Sequence, residues 1–145
     1  MTALVEEKTV SEELGLLSRL ERAINSHDLE LMVACFASDY QSSFPAHPDR
    51  DFHGTDQMKS NWSKIFMGVP NIRAKLLRQV TSGDTSWGEW EWEGRKVDGA
   101  PFAMCGVTIQ GIQENRIVWT RLYMEPIVEG GGVDAAIRRE IKPAQ

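Results

Sequence analysis

The chain has 145 residues, with 16 Lys and Arg against 21 Asp and Glu, and a formal net charge of −5. This length suits one domain that buries its own core without disulfides or a structural metal. The acidic balance, with no basic cluster interleaved with aromatics, argues against nucleic acid or an anionic membrane as a partner. No apolar run approaches the roughly 18 residues of a membrane helix, and the N-terminal sequence does not resemble a signal peptide. We therefore expect a soluble, cytoplasmic protein.

The first third of the chain has the patterning of helices. Thr9 and Glu12 have capping-box spacing, and apolar residues then recur on one helical face as far as Ile24. Asp28 is placed to cap a second helix over roughly residues 29–37. The apolar residues of that helix are predicted to face inward; they are Leu31, Met32, Cys35 and Phe36.

A short strand and a third helix follow. Residues 40–45 alternate like a strand and end at a proline. After a polar loop, Thr55 is predicted to cap a helix with an apolar face of Met58, Trp62 and Ile65. Cys35 and Cys105 lack CxxC spacing and a nearby histidine, so we predict that both are reduced and buried.

From Asn71 onward the apolar residues recur with a period of two. The clearest strand is Glu89-Trp90-Glu91-Trp92-Glu93, because successive strand side chains point to opposite faces of a sheet. The two tryptophans therefore share one face and the three glutamates the other. This strand predicts an aromatic interior and an acidic exterior.

The last strands and the tail complete the predicted architecture. Residues 102–112 and 117–124 read as a hairpin joined by a polar turn, so the fold class is α+β with a curved antiparallel sheet. Three glycines at 130–132 then precede a segment with helical spacing. We expect one domain over residues 1–128 and a Gly-hinged tail over 129–145 that is able to form a helix.

The order of these elements and four short segments resemble the nuclear transport factor 2-like superfamily, in its SnoaL-like and ketosteroid-isomerase-like branch. The segments are 24–28 (INSHD), 35–39 (CFASD), 53–54 (HG) and 115–118 (NRIV). The resemblance implies a cone in which a curved antiparallel sheet wraps around the N-terminal helices and leaves a deep apolar pocket, often in a homodimer. Members include isomerases, polyketide cyclases, an epoxide hydrolase and binding domains, so the fold does not fix the function.

The acids of the isomerase-like members are missing when the resemblance is carried over position by position. The general-base aspartate falls on Phe44, and the oxyanion-hole tyrosine falls on Leu20. No carboxylate occurs over residues 102–113, where the second oxyanion acid is expected. The functional aspartate of cyclase-like and hydrolase-like members falls on Leu122, and Glu125 is expected to face the other way. Steroid-type isomerisation by a carboxylate base is therefore disfavoured.

The same carry-over fixes which strand residues face the pocket, and on the first strand these are Tyr40, Ser42 and Phe44. It predicts that the pocket binds an apolar or aromatic small molecule, since such pockets are mainly hydrophobic with a few placed polar groups. The predicted ligand-binding residues are Phe44, Trp62, Trp90, Trp92, Thr120, Leu122 and Met124. If the parity of the strand were reversed, Glu89 and Glu91 would enter the pocket instead.

Two further residues are candidates for catalysis. His53 lies in the loop that borders the pocket mouth in this superfamily. Because histidine is a residue type suited to proton exchange near neutral pH, His53 could act as an acid or base toward a ligand, with Tyr40 as hydrogen-bond donor. His47, Asp49, Asp51 and His53 share one loop but lack a metal-binding pattern, so we predict no metal. We expect no cofactor, because P-loop, dinucleotide and nucleophile-elbow motifs are missing from the sequence.

Three functions remain open at this point. The first is a ligand-binding domain without chemistry of its own, which the missing acids favour. The second is a cofactor-free isomerase, polyketide cyclase or hydrolase that uses pocket His or Tyr residues. The third is a structural or regulatory dimer in which Trp90 and Trp92 plug the cone and the tail engages a partner.

Overall fold

The computed structural model describes residues 15–141, and the proposed capping box of Thr9 and Glu12 lies outside them. The domain is α+β, as expected. Its helices are α1 (Gly15–Asn25), α2 (Leu29–Val33), α3 (Thr55–Gly68) and α4 (Gly132–Ile141). Its strands are β1 (Phe36–Ser43), β2 (Phe52–His53), β3 (Arg73–Ser82), β4 (Thr85–Arg95), β5 (Pro101–Gln113) and β6 (Arg116–Pro126).

The six strands form one sheet in the order β2-β1-β6-β5-β4-β3. Neighbouring strands are antiparallel except β1 and β6, which pair in parallel, so the sheet is mixed rather than wholly antiparallel. The register shifts within β1, β3 and the β5–β6 pair. Such irregularities bend and twist strands, and helices α1 and α3 lie against the inner face of the bent sheet.

Two tight turns between strands have backbone conformations that suit their residues. Glu114 and Asn115 have φ angles of 50° and 62°, as a two-residue hairpin turn requires. Gly83, between β3 and β4, has a φ of 60°, which glycine adopts without steric cost. These tight connections fix the register of the long strands that build the inner wall.

Helix α1 fills the concave side of the sheet. Leu17, Ala23 and Ile24 are buried together with Trp90 and Met124 of the sheet. A second cluster joins α1 and α3 to β1 and β6. The hydrophobic burial that these clusters provide is the main favourable contribution to the stability of such a domain.

Helix α1 also covers the edge of the sheet with polar side chains. Asn25 accepts a hydrogen bond from the Ala74 amide at 2.7 Å and donates one to its carbonyl at 2.9 Å. Glu21 accepts from the Leu76 amide at 2.6 Å. Edge strands expose unpaired backbone groups that invite pairing with other chains, and these side chains satisfy those groups on β3.

The second helix differs from its prediction. It ends at Val33, and Leu31 is 52% exposed rather than turned inward. Phe36 already begins β1. The strand takes over because its residues pair with β6 from Ile117 onward, and tertiary pairing overrides a short local helical pattern.

Two smaller expectations are also wrong. Thr55 is the first residue of α3, and Gly54 is its N-cap with no side-chain capping bond. Cys35 is buried as predicted, but Cys105 is exposed. Its β5 position pairs with Glu91 and Glu125, so it lies on the outer face of the sheet.

The tail carries helix α4 after glycines with positive φ at 130–132. Its apolar residues Val133, Ile137 and Ile141 are each at least half exposed. Within residues 15–141, no helix is long and apolar enough to cross a membrane.

Candidate binding cavity

The Glu/Trp strand is oriented as the carried-over register predicts. Trp90 is 1% exposed and Trp92 is half-buried, and both point to the inner face of the sheet. The intervening Glu91 is exposed, and Glu89 pairs with Arg78 at 2.8 Å on the outer face. The reversed parity that would bring carboxylates inside is therefore excluded.

The inner face and the helices enclose a cavity of about 250 Å³. Aliphatic, sulfur-containing and aromatic side chains form most of its wall. The sequence-predicted residues that line it are Tyr40, Ser42, Phe44, Trp62, Trp90, Trp92, Thr120, Leu122 and Met124. The two strand tryptophans thus form part of the wall of an open cavity and do not plug it.

Aromatic rings build one side of this cavity. Trp62, from α3, meets Trp92 edge-on at 5.3 Å between ring centroids and Phe66 at 5.7 Å. Edge-to-face pairs of this kind hold rings in defined orientations. The Trp90 indole is fixed further by donating a hydrogen bond to Thr108 Oγ1 at 3.0 Å.

A row of polar side chains crosses another part of the wall. Ser42, Thr120 and Gln110 occupy directly paired positions on β1, β6 and β5, and all three line the cavity. Their exposures are only 3%, 5% and 1%. Gln110 Nε2 donates to the Ser86 carbonyl at 2.8 Å. We call Ser42, Thr120 and Gln110 the polar row.

Tyr40 lies beside this row and is 3% exposed. Burial raises the pKa of its phenol above the usual value, and the Thr120 and Ser42 hydroxyls nearby oppose that rise. The phenol is therefore neutral at physiological pH and can act as a hydrogen-bond donor. It cannot act as a base there.

Two polar atoms of residues that line the cavity are buried without a hydrogen-bond partner. They are Ser42 Oγ, which is near Tyr40 but has no partner in hydrogen-bonding geometry, and Trp92 Nε1. A buried polar group left unpaired costs about 1–3 kcal/mol. Such atoms at a cavity wall are the expected positions for hydrogen bonds to a bound molecule.

The ionisable groups that line the cavity are few. Tyr40 is one, and Arg50 is the other, an exposed residue within the loop between β1 and β2. Neither a carboxylate nor an imidazole lines the part of the wall that the described residues form. A proton acceptor of the kind that general-base catalysis requires is therefore missing from this wall.

The loop candidates lie elsewhere. His53 is exposed on β2, pairs with Gln41 and is not part of the cavity wall. His47 Nε2 lies 2.7 Å from Glu125 Oε1, and Asp51 accepts a hydrogen bond from the Phe44 amide at 2.7 Å. These groups hold the loop in place, and residues 15–141 contain no cluster of metal-ligating side chains.

Several wall residues escaped the sequence analysis, above all Thr108, Gln110 and Arg50. The first two could have been found from strand parity. Met104, Thr108 and Gln110 have even numbers on β5 and alternate with outward residues, but the starting register of that strand was uncertain. Arg50 belongs to a short 3₁₀ helix, and no periodic pattern predicts where its side chain lies.

Comparison with known proteins identifies the family of this domain. A sequence model described as the SnoaL-like domain matches residues 17–120. No curated protein matches the chain by sequence. Solved structures of similar fold are numerous.

A protein from Bacillus subtilis, provisionally assigned as an isomerase, shares 15% identity at a TM-score of 0.67, over 76% of this chain and 84% of that one. IdmH from Streptomyces antibioticus, provisionally assigned as a polyketide cyclase, shares 20% identity at 0.66, over 76% and 89%. An NTF2-like protein of unknown function from Exiguobacterium sp. 255-15 shares 21% identity at 0.65, over 77% and 98%. At these identities the likeness concerns the fold.

Proposed function

Because this chain belongs to the SnoaL-like domain family, and one fold can host both enzymes and binding proteins, we propose a function from the cavity of this chain itself. The proposed function is to bind an apolar or aromatic small molecule. The open, mainly apolar cavity behind Trp90 and Trp92 carries this proposal. Small-molecule sites are concave and mostly apolar, with a few placed polar groups.

The size of the cavity supports a small ligand. An engineered apolar cavity of about 150 Å³ binds benzene, so about 250 Å³ has room for a compound larger than a single ring. Trp62, Trp90 and Trp92 offer flat surfaces to such a ring system. The unpartnered Trp92 Nε1 supplies a donor for an oxygen of the ligand.

We propose binding without proton abstraction by the protein. The cavity wall offers neither a carboxylate nor an imidazole among the described residues, and His53 lies outside it. Tyr40 can donate a hydrogen bond but is neutral. A cofactor-free isomerase, cyclase or hydrolase would therefore depend on Tyr40 as an electrophile, and replacing Tyr40 by Phe would abolish its turnover.

Titration calorimetry with indane, a bicyclic hydrocarbon, tests the binding proposal. Leu122 faces the cavity, and the next residue, Tyr123, faces outward. Filling the cavity with L122W is expected to weaken indane binding more than about tenfold, or 1.4 kcal/mol, whereas Y123W leaves it unchanged. L122F provides a smaller filling step if L122W does not fold, as checked by circular dichroism. Equal binding by L122W, L122F and the wild type would exclude the cavity as the site.

We also propose that a second copy of the chain covers the outer face of the sheet. Three exposed apolar residues lie there: Val80 and Trp87, which pair with each other and are 63% and 47% exposed, and Tyr123 of β6, which is 39% exposed. Beside them, basic residues of β3 face glutamates of β4, as in Arg78 and Glu89. An interface with a twofold axis uses the same patch on both subunits, and a patch with both signs of charge allows each copy to pair its charges with those of the other.

Analytical ultracentrifugation tests this homodimer. W87R places a charge in the apolar cluster and is expected to raise the dimer dissociation constant at least about tenfold. V97R is the control, since Val97 is 76% exposed in the loop between β4 and β5. A monomeric wild type would contradict the proposal, and dissociation on truncation before Gly130 alone would assign the interface to the tail. The expected cytoplasmic location and lack of nucleic-acid or membrane partners stay predictions from the sequence.

A further inference from the structure

The polar row is a continuous patch rather than three scattered groups. Ser42 pairs with Thr120, and Thr120 pairs with Gln110, on three adjacent strands. Directly opposed residues on one face of neighbouring strands lie about 5 Å apart. With Tyr40 beside them, three hydroxyls and one amide therefore meet on one part of an otherwise apolar wall.

The hydrogen bonds of this patch are incomplete. Gln110 uses its amide nitrogen to bind the Ser86 carbonyl, but Ser42 Oγ is buried with no partner. Ser42 is 97% buried and lines the cavity. An alanine at this position would avoid the cost of an unsatisfied buried hydroxyl. The serine is therefore better suited to a bound molecule than to the empty fold.

The charges around the cavity define what kind of group fits. The polar row contains no ionised side chain, and Arg50 is an exposed residue outside the row. A carboxylate or ammonium group buried at the row would lack an opposite charge, which is strongly unfavourable. An uncharged oxygen avoids this cost and can accept hydrogen bonds from the hydroxyls.

We propose that the polar row and the Tyr40 hydroxyl form a subsite for an uncharged carbonyl oxygen carried by a ring compound in the cavity. This inference rests on the proposed binding function and adds the polar half of the ligand to it. Ser42 donates the new hydrogen bond, and the aromatic wall holds the ring. The subsite selects the ketone over its carboxylate counterpart.

Two ligands with one carbon skeleton test the subsite by calorimetry: 1-indanone, which carries the carbonyl, and indane, which lacks it. S42A is expected to weaken 1-indanone binding about 3- to 10-fold while leaving indane binding unchanged. S86A is the matched control, because Ser86 is 2% exposed and pairs with Gln110 but does not line the cavity. It is expected to change neither dissociation constant.

Stability provides a second readout that a purely structural serine would not give. Because Ser42 Oγ has no partner, S42A is expected to leave the melting temperature of the unliganded protein equal or higher while weakening ketone binding. A lower melting temperature with unchanged 1-indanone binding would overturn the subsite. So would an equal loss for both ligands.

The outcomes separate the two proposals. If neither ligand binds the wild type, the proposed binding function fails and the subsite fails with it. If both bind and S42A affects neither, the cavity binds ring compounds but the subsite is wrong. Indane-1-carboxylate is expected to bind at least about tenfold more weakly than 1-indanone, because the polar row offers no opposite charge to its carboxylate; tighter binding would contradict an uncharged subsite.

Discussion

Trp90 Nε1 donates a hydrogen bond to Thr108 Oγ1 at 3.0 Å, while Trp92, two residues further along the same face, has an indole nitrogen with no partner. The two tryptophans therefore differ in role although they have the same orientation. Trp90 is fully buried and belongs to the core, together with Leu17 and Ile24. Trp92 is only partly buried and holds an unused donor at the cavity wall.

This difference predicts the effect of replacing Thr108. T108V keeps the shape of the side chain but leaves the Trp90 N–H without its acceptor. The free energy of unfolding is expected to fall by about 1–3 kcal/mol, measured by chemical denaturation. A change of less than about 0.5 kcal/mol, as for an ordinary surface site, would show that the 3.0 Å contact contributes little.

The side-chain hydrogen bonds from α1 to the edge strand β3 predict a second stability effect. N25A removes two hydrogen bonds to Ala74, and the loss is expected to be about 1–3 kcal/mol, with faster amide hydrogen exchange at Ala74. R22A, at an exposed position on the same helix, is expected to stay within about 0.5 kcal/mol of the wild type. Equal effects of the two variants would mean that the Asn25 hydrogen bonds to β3 contribute little to stability.

Tyr40 predicts a dependence of stability on alkaline pH. Burial raises its pKa above the ordinary value of 10.0, so the unfolded chain loses this proton first as the pH rises. The contribution of Tyr40 to stability is then complete below pH 10 and is lost as the pH rises through the folded-state pKa. Wild-type stability is expected to fall more steeply than that of Y40F over this range.

An absorbance titration can follow Tyr40 alone. The chain has two tyrosines, so Y123F leaves Tyr40 as the only one. Its tyrosinate absorbance is expected to appear above pH 10 in the folded protein and to shift to lower pH in denaturant. Identical titrations in both states would contradict the buried position of the phenol.

The two cysteines predict a difference in thiol reactivity. Cys105 is exposed, whereas burial raises the pKa of Cys35 despite the opposing charge of Arg19. Because the thiolate is the reactive form, a disulfide reagent is expected to modify one thiol quickly and the other only after unfolding. C105S is expected to remove the fast phase. A fast phase that survives in C105S would place Cys35 at the surface.

The sequence predicted the strands better than the helix ends. Trp90 and Trp92 were oriented correctly because a period of two leaves only two choices of face. The second helix was extended too far because residues such as Cys35 and Phe36 suit a helix or a strand equally, and the pairing of β1 with β6 decides between them. Cys105 was wrongly predicted to be buried, because its apolar neighbours do not indicate which face of β5 it occupies.

The cavity was predictable in outline and the polar row only in part. Ser42 and Thr120 were expected to face the pocket, but Gln110 was not, because the register of β5 was uncertain. Ser42 and Thr120 meet only through the pairing of β1 with β6, which are distant in sequence. His53 was proposed for its chemistry, yet its pairing with Gln41 places it away from the cavity. The pairing of strands therefore determines which side chains meet in the cavity, and the chemistry of single residues does not predict it.

The most direct test of a ligand-binding cavity uses the five tryptophans as reporters in a ¹⁵N–¹H correlation spectrum of the indole groups. Trp62, Trp90 and Trp92 line the cavity, whereas Trp87 and Trp119 do not. Adding 1-indanone is expected to shift the indole signals of Trp62, Trp90 and Trp92, with the largest shift at Trp90 or Trp92. The signals of Trp87 and Trp119 are expected to stay unchanged. Shifts confined to Trp87 and Trp119, or no shifts at saturating 1-indanone, would contradict binding inside the cone.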